Sequence, residues 1–292
     1  MFGVIQRKVV FLRNEVGGEP SIYSTWPALK QLRRRALSPL FRISDTGLLG
    51  LTALRTHILI CGFPRSGTTM LQMMLENGLP QARRFGREVG GWRAATYAWR
   101  NHPLMISKVP HDVFRLDPLR QFYAARSAAL KIILMVRDPR DVLTSQRREG
   151  GPEGYCVSPE RWRRYYRAVV RESRSRDVLM MAYEDLISDP ISEQGRIEQF
   201  TGWKLSLPLE GFHTVDRPDF DKQTLNGLRP IESSLIGRWR SPEHRQRIEQ
   251  VSNELPELPE ALLRLGYATD AKAAPAWAPR GTGVPPVLAA AD

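Results

Sequence analysis

Short, nearly unbroken apolar runs alternate with stretches of helical periodicity along the middle of this chain. The run His57-Ile58-Leu59-Ile60-Cys61 stops at Gly62, and from Thr68 to Asn77 apolar positions recur at helical spacing until Gly78. That order predicts a strand, a glycine loop and a helix. Leu104-Met105-Ile106-Ser107 reads as a second strand ending at Lys108 and Pro110. Lys131 to Val136 is almost continuously apolar and β-branched, the pattern of a parallel strand covered on both faces, and it ends at Arg137-Asp138-Pro139. A helix is expected from Arg140 to about Arg148, then a loop over 149–158 rich in glycine and proline, then a basic helix rich in Trp and Tyr from Glu160 to Arg174. Val178 to Ala182 is the fourth strand. Farther on, the spacing predicts a helix near Ser192 to Phe200, irregular chain from Pro208 to Glu232, and a helix from Pro242 to about Leu255. Alternating strands and helices imply an α/β fold, a mainly parallel sheet flanked by helices with right-handed crossovers.

The pattern also divides the chain. Residues 1–55 are basic, with helical stretches broken at Pro20, Pro27 and Pro39, and read as a lead-in to a main domain over 56–268. Residues 269–292, rich in Ala, Pro and Gly, are expected to be disordered. A length of 292 residues suits one such domain, and 42% hydrophobic with 25% charged residues excludes disorder over most of it.

Charge narrows the partners without choosing one. The formal net charge is +12, which favours polyanions: nucleic acid, an anionic membrane or a multiply phosphorylated cofactor. The run Arg33-Arg34-Arg35 lacks aromatic platforms and a recognition motif, so it reads as a solvated basic face and no specific nucleic acid is expected. With two cysteines, Cys61 and Cys156, a disulfide framework is not expected. Arg7 and Lys8 interrupt the apolar N-terminus before a signal core forms, and no apolar run is long enough to span a membrane, so the cytoplasm is the expected address.

The chemistry concentrates at Gly62-Phe63-Pro64-Arg65-Ser66-Gly67-Thr68-Thr69. This is the G-x-x-x-x-G frame of a phosphate loop, with Thr68 where a nucleotide hydrolase carries lysine. Backbone N–H groups and the start of the following helix form a donor-lined cavity for phosphate, Thr68 and Thr69 add hydroxyls, and Arg65 restores the positive charge. Pro64 to Thr69 resembles the P-[KR]-S-G-T-T loop of the sulfotransferases that use 3′-phosphoadenosine 5′-phosphosulfate (PAPS). A second segment, Val136-Arg137-Asp138-Pro139-Arg140-Asp141-Val142-Leu143-Thr144-Ser145, is similar to that family's 3′-phosphate segment, with Arg137 at a strand end and Ser145 eight residues on. An arginine fork plus a helix hydroxyl suits a phosphate monoester dianion. Tyr183-Glu184-Asp185-Leu186 resembles the family's Y-E-D-L, and Gly237-Arg238-Trp239 its late G-x-W segment near the nucleotide, so Tyr183, Gly237, Arg238 and Trp239 join the cofactor-binding set. The resemblance covers about 57–265 and implies the three-layer phosphate-loop architecture.

For the reaction, the resemblance implies transfer of a sulfuryl group from PAPS to an acceptor hydroxyl or amine, releasing 3′-phosphoadenosine 5′-phosphate (PAP). Arg65 and Lys108 are the candidate cations at the moving group, and no metal is expected, because a sulfuryl group carries less charge than a phosphoryl group. The stretch Gln81 to Val89 resembles the segment that carries the catalytic glutamate of tyrosylprotein sulfotransferases, which implicates Glu88 as base. Ser107-Lys108-Val109-Pro110 resembles their N-K-D-P, which implicates Lys108. The histidine of the small-molecule members' K-x-H is matched only by His111, one residue out of place, and a salt bridge is the other reading of Glu88. The acceptor, whether small molecule, lipid, glycan or peptide, stays open; its contacts are sought in the 149–158 loop, Trp162 to Tyr166 and Phe212 to Pro230. At helical spacing, Trp162, Tyr165 and Tyr166 also suit a core. Two other classes stay in view: a phosphate-loop kinase or hydrolase, which needs the missing lysine and magnesium, and a non-catalytic anion or nucleic-acid binder, which leaves the Arg137 and Ser145 pairing unexplained.

Overall fold

The computed structural model of the chain describes residue 50 and residues 52–85, 88–96, 101–146, 154–214 and 231–267. Nearly all of the basic lead-in, half of the 149–158 loop, 215–230 and the tail lie outside these residues. Among them, five strands form one parallel sheet: β1 (Thr56–Gly62), β2 (Ala82–Arg83), β3 (Leu104–Lys108), β4 (Ala129–Val136) and β5 (Val178–Ala182), in the order β2-β3-β1-β4-β5. The register sets Ile60 beside Lys108, Gly62 beside Met135 and Val136 beside Ala182. The carboxyl ends of the four longer strands therefore share one edge.

Unbroken apolar strands are explained by helices on both faces. Leu59 and Cys61 of β1 join Ile132, Leu134 and Val136 of β4 in one core, while Ile58 and Ile60 join Ile133 and Met135 in the other. The first core is covered by α3 (Leu116–Ala124), α5 (Pro159–Glu172) and α9 (Leu258–Arg264), with Leu119, Tyr123, Trp162, Tyr165, Val169, Ala261 and Leu262 turned inward. The second is covered by α1 (Thr68–Gly78) and α7 (Pro190–Thr201) through Leu71, Met74, Leu75 and Ile197. The α/β fold with three layers is as the sequence implies.

Several local expectations change. The helix expected from Arg140 to about Arg148 is α4, Pro139–Leu143, and it stops early. Thr144 turns its hydroxyl back onto the Arg140 carbonyl at 2.8 Å, Ser145 O accepts from Cys156 N at 2.8 Å, and Gln146 pairs antiparallel with Tyr155. Local bonds and that bridge outweigh helical spacing here. Pattern reading also passed over β2, α2 (Gly91–Ala95), α3, α6 (Tyr183–Ser188) and α9, all short or mixed in polarity, and the 3₁₀ turns Pro110–Phe114 and Leu209–Thr214. The expected helix from Pro242 to about Leu255 opens with a 3₁₀ turn, Pro242–His244, and continues as α8, Arg245–Glu254.

Candidate active site

The loop after β1 is shaped by backbone constraints before any ligand is considered. A Cβ on Gly62 would run into the Met135 carbonyl, and one on Gly67, whose φ is 82°, would sit 2.6 Å from Tyr183 Cδ2. Both positions require glycine. Arg65 holds φ at 65°, the only non-glycine residue so placed among the described residues, which aims its side chain out of the loop at a cost in backbone strain. Pro64 is buried. Ser66 is buried too and donates its hydroxyl to Phe63 O at 2.7 Å, so it braces the loop from within. Gly67 caps α1 without a side-chain bond, so the first-turn N–H groups of Thr68 and Thr69 have no intrahelical acceptor and can receive an anion.

On one side of the loop stands a buried cation. Lys108, at the end of β3, is 0% exposed, and its Nζ donates to Thr69 Oγ1 at 2.8 Å and to the Glu88 carboxylate. The Glu88 side chain is 52% exposed, so the pair reaches from the interior to solvent. The segment carrying Glu88 is pinned twice: Lys108 N donates to Val89 O at 3.0 Å, and Gly91 N donates to Asp112 Oδ2 at 2.6 Å. Burial pushes the Asp112 carboxyl above its ordinary range. The structure thus brings Glu88, Lys108 and Thr69 together, with Lys108 as the carboxylate's partner. His111 lies half-buried in the 3₁₀ turn one residue before Asp112.

On the other side, Arg65, Arg137 and Ser145 converge. Arg65 Nε donates to Ser145 Oγ at 2.8 Å, and Arg137 donates to Arg65 O at 3.2 Å and Leu235 O at 2.7 Å. Its guanidinium lies 4.3 Å from the centre of the Tyr183 ring, and its Nε is buried without a hydrogen-bond partner. Asp141 fastens the late segment to this corner, accepting from Gly237 N and Trp239 N at 2.9 Å each. Trp239 is packed between Arg140 at 3.9 Å and Arg240 at 4.5 Å, whereas Arg238 is exposed. Beneath the corner, Glu184 accepts from Asp138 N at 2.9 Å and from Tyr267 Oη at 2.8 Å. Burial pushes its carboxyl up to about 7 against both bonds.

Sequence reasoning missed the framing carboxylates Asp112, Asp141 and Glu184. Asp141 and Glu184 stand inside quoted motifs, but nothing in a motif reveals burial, and no local signal ties Tyr267 to a strand end. Trp162 and Tyr165 are core residues: Trp162 stacks between Phe63, at 6.1 Å, and Tyr166, at 5.1 Å. Of the acceptor stretches, 147–153 and 215–230 lie outside the described residues. Among the described residues, no three His, Cys, Asp or Glu side chains gather to hold a metal ion.

The sequence profile of the family described as "Sulfotransferase domain" matches residues 55–217. No curated protein matches the chain. Solved structures that are similar to it include the sulfotransferase domain of the olefin synthase from Synechococcus PCC 7002, at 21% identity and TM-score 0.49, covering 70% of this chain and 96% of that one. Another is the sulfotransferase domain from the curacin biosynthetic pathway, at 18% identity and TM-score 0.49, with 70% and 98% covered. A third is retinol dehydratase in complex with androsterone and the inactive cofactor PAP, at 16% identity and TM-score 0.44, with 76% and 85% covered.

Proposed function

From the premise that the chain belongs to the sulfotransferase domain family and is a sulfotransferase, we propose that it takes its sulfuryl group from PAPS and works through the two clusters flanking the loop. Arg137 and Ser145 hold the 3′-phosphate, a dianion suited to a guanidinium fork and a hydroxyl. Tyr183 and the backbone of Gly237 to Trp239 frame the nucleotide, with Arg238 at its exposed rim. Pro64 shapes the loop, and the N–H groups of Arg65, Ser66 and Gly67, with Thr68 and Thr69, bind the phosphosulfate. Lys108 and Arg65 place positive charge at the bridging oxygen, where negative charge grows as the bond to sulfur breaks. Glu88 takes the proton from the acceptor hydroxyl or amine as that atom forms its bond to sulfur, and PAP leaves with the electron pair of the broken bond. The main supporting observation is the fully buried Lys108 ammonium between Thr69 of the loop and the half-exposed Glu88.

The acceptor remains a small molecule, lipid, glycan or peptide, presented at the half-exposed side of Glu88. We assign the domain to 56–268. We place the protein in the cytoplasm, in keeping with two free cysteines; among the described residues, no helix is long and apolar enough to cross a membrane.

Thermal stabilisation tests the cosubstrate without an acceptor. PAP should raise the melting temperature more than AMP does, because only PAP presents a 3′-phosphate, and Arg137→Ala should erase that difference while weakening PAP binding roughly ten- to a hundredfold. An Arg137→Ala protein that still prefers PAP over AMP removes the assignment, and stabilisation by ATP alone moves the chain to the kinase class.

A further inference from the structure

Five arginines stand on α5 against two glutamates, and four of them lie on its exposed side, where Arg171 also pairs with Glu172 and Arg161 donates to Cys156 O at 3.4 Å. Arg163, on the flank, is bound by Glu257 of the α8–α9 turn and donates to Glu254 O at 2.8 Å. The other four, Arg161, Arg164, Arg167 and Arg171, are exposed and follow one another at intervals of three, three and four residues, while Trp162, Tyr165, Ala168, Val169 and Glu172 face the core. Helical geometry turns that spacing into a row about 15 Å long on a single face. Of the helix's carboxylates, Glu172 is buried and bound by Arg120 and Arg171, which leaves Glu160 in the first turn as the exposed acid on the helix. At the amino end of the row lies Phe114, 38% exposed, its ring 4.7 Å from Tyr165 edge-on. Arg164 lies 6.0 Å from the Phe114 ring, and Arg161 lies 5.8 Å from that of Tyr165.

We propose that this face of α5, with Phe114 at its end, is a docking surface for an anionic lipid bilayer. A row of guanidinium groups on the outside of a helix can meet a plane of phosphate headgroups all at once. Among the described residues Phe114 is the one exposed ring beside the row, and a single ring is no stacking platform for a nucleic-acid strand. An exposed aromatic ring with an arginine beside it suits the headgroup boundary, where the ring enters the apolar layer and the cation stays among the phosphates. The sign also matches, because cytoplasmic leaflets are negative and attract clustered Arg and Lys. The surface is independent of the reaction assigned above.

Sedimentation of the full chain with vesicles tests this. The protein should pellet with phosphatidylcholine vesicles that contain phosphatidylserine and not with phosphatidylcholine alone, and added salt should release it. Changing Arg161, Arg164 and Arg167 to Gln should lower the partition coefficient about a hundredfold, at roughly one kilocalorie per mole for each arginine near the surface. Phe114→Ala should weaken it several-fold. The basic run Arg33-Arg34-Arg35 is a rival source of affinity in the same chain, so its triple Gln variant is measured in parallel. The melting temperatures of the arginine variants should match the parent. Unchanged partition of the α5 triple variant overturns the proposal, as does equal binding to neutral vesicles. Tighter binding to duplex DNA than to the anionic vesicles assigns the row to nucleic acid instead.

Discussion

Two glutamates with opposite surroundings carry the sharpest expectations at the scale of single residues. Glu88 is half exposed and paired with a buried lysine, so Glu88→Gln should keep PAP affinity while the single-turnover rate at saturating PAPS falls about a hundredfold or more, the scale of losing a general base. A near-normal rate would leave the residue as a salt-bridge partner only. Glu184 is enclosed, and burial lifts its carboxyl from an ordinary 4.5 to about 7. Between those values the folded chain keeps a proton that the unfolded chain has lost. Stability from this group is therefore complete below about pH 4.5 and is lost as pH rises through about 7, amounting to about 3 kcal/mol in all. Urea denaturation of the parent should shift to lower midpoints across that window, and Glu184→Gln should flatten this part of the profile. An unchanged slope would mean that Glu184 titrates normally. The residues proposed to act on ligand were legible because their spacing is local: Arg137 and Ser145, or Pro64 to Thr69, can be matched without knowing the fold. The residues that hold them were not, since Asp141 and Glu184 take partners roughly a hundred residues away.

Elements were legible in proportion to how much of their identity lay in their own pattern. β1, β3, β4 and β5 are apolar on both faces and stand out, and α5 announces itself through Trp162, Tyr165 and Val169 at core spacing. β2 has two residues and borrows its existence from β3; α2 depends on Asp112 for its first N–H bond. α3 is amphipathic but short, and it is tied down by ion pairs rather than by pattern. Arg120 on α3 bonds Glu172 at 2.7 Å and Asp177 at 2.7 Å, joining the end of α5 and the turn into β5. Its pKa rises because these hydrogen bonds and charges outweigh burial, which acts the other way. Arg120→Met should lower unfolding free energy by about 2 kcal/mol. That is below the usual cost of stranding a buried charge, because Glu172 keeps Arg171 as a partner. Chemical denaturation reads this, and a loss under about half a kilocalorie per mole would show that the three-way tie is marginal.

For the whole molecule, the sheet and its helical layers form a platform whose working edge is closed late in the sequence. The last strand ends at Ala182, yet the Arg137 corner is finished by Leu235, Gly237 and Trp239 from one segment and by Tyr267 from another. A ribosome adds about 5–20 residues per second, so roughly several seconds of synthesis separate a complete sheet from a complete corner. During that interval the growing chain holds its phosphate loop and Arg137 but lacks the clamp that positions them. Stalled nascent chains of increasing length should therefore gain PAP-dependent protection from protease only after Tyr267 has cleared the exit tunnel, not after Ala182 has. Protection that begins at the earlier length would mean the corner is preformed by the sheet alone. On this timetable the nascent protein stays unable to sequester nucleotide until the domain is almost finished, so ligand cannot select among its half-made forms.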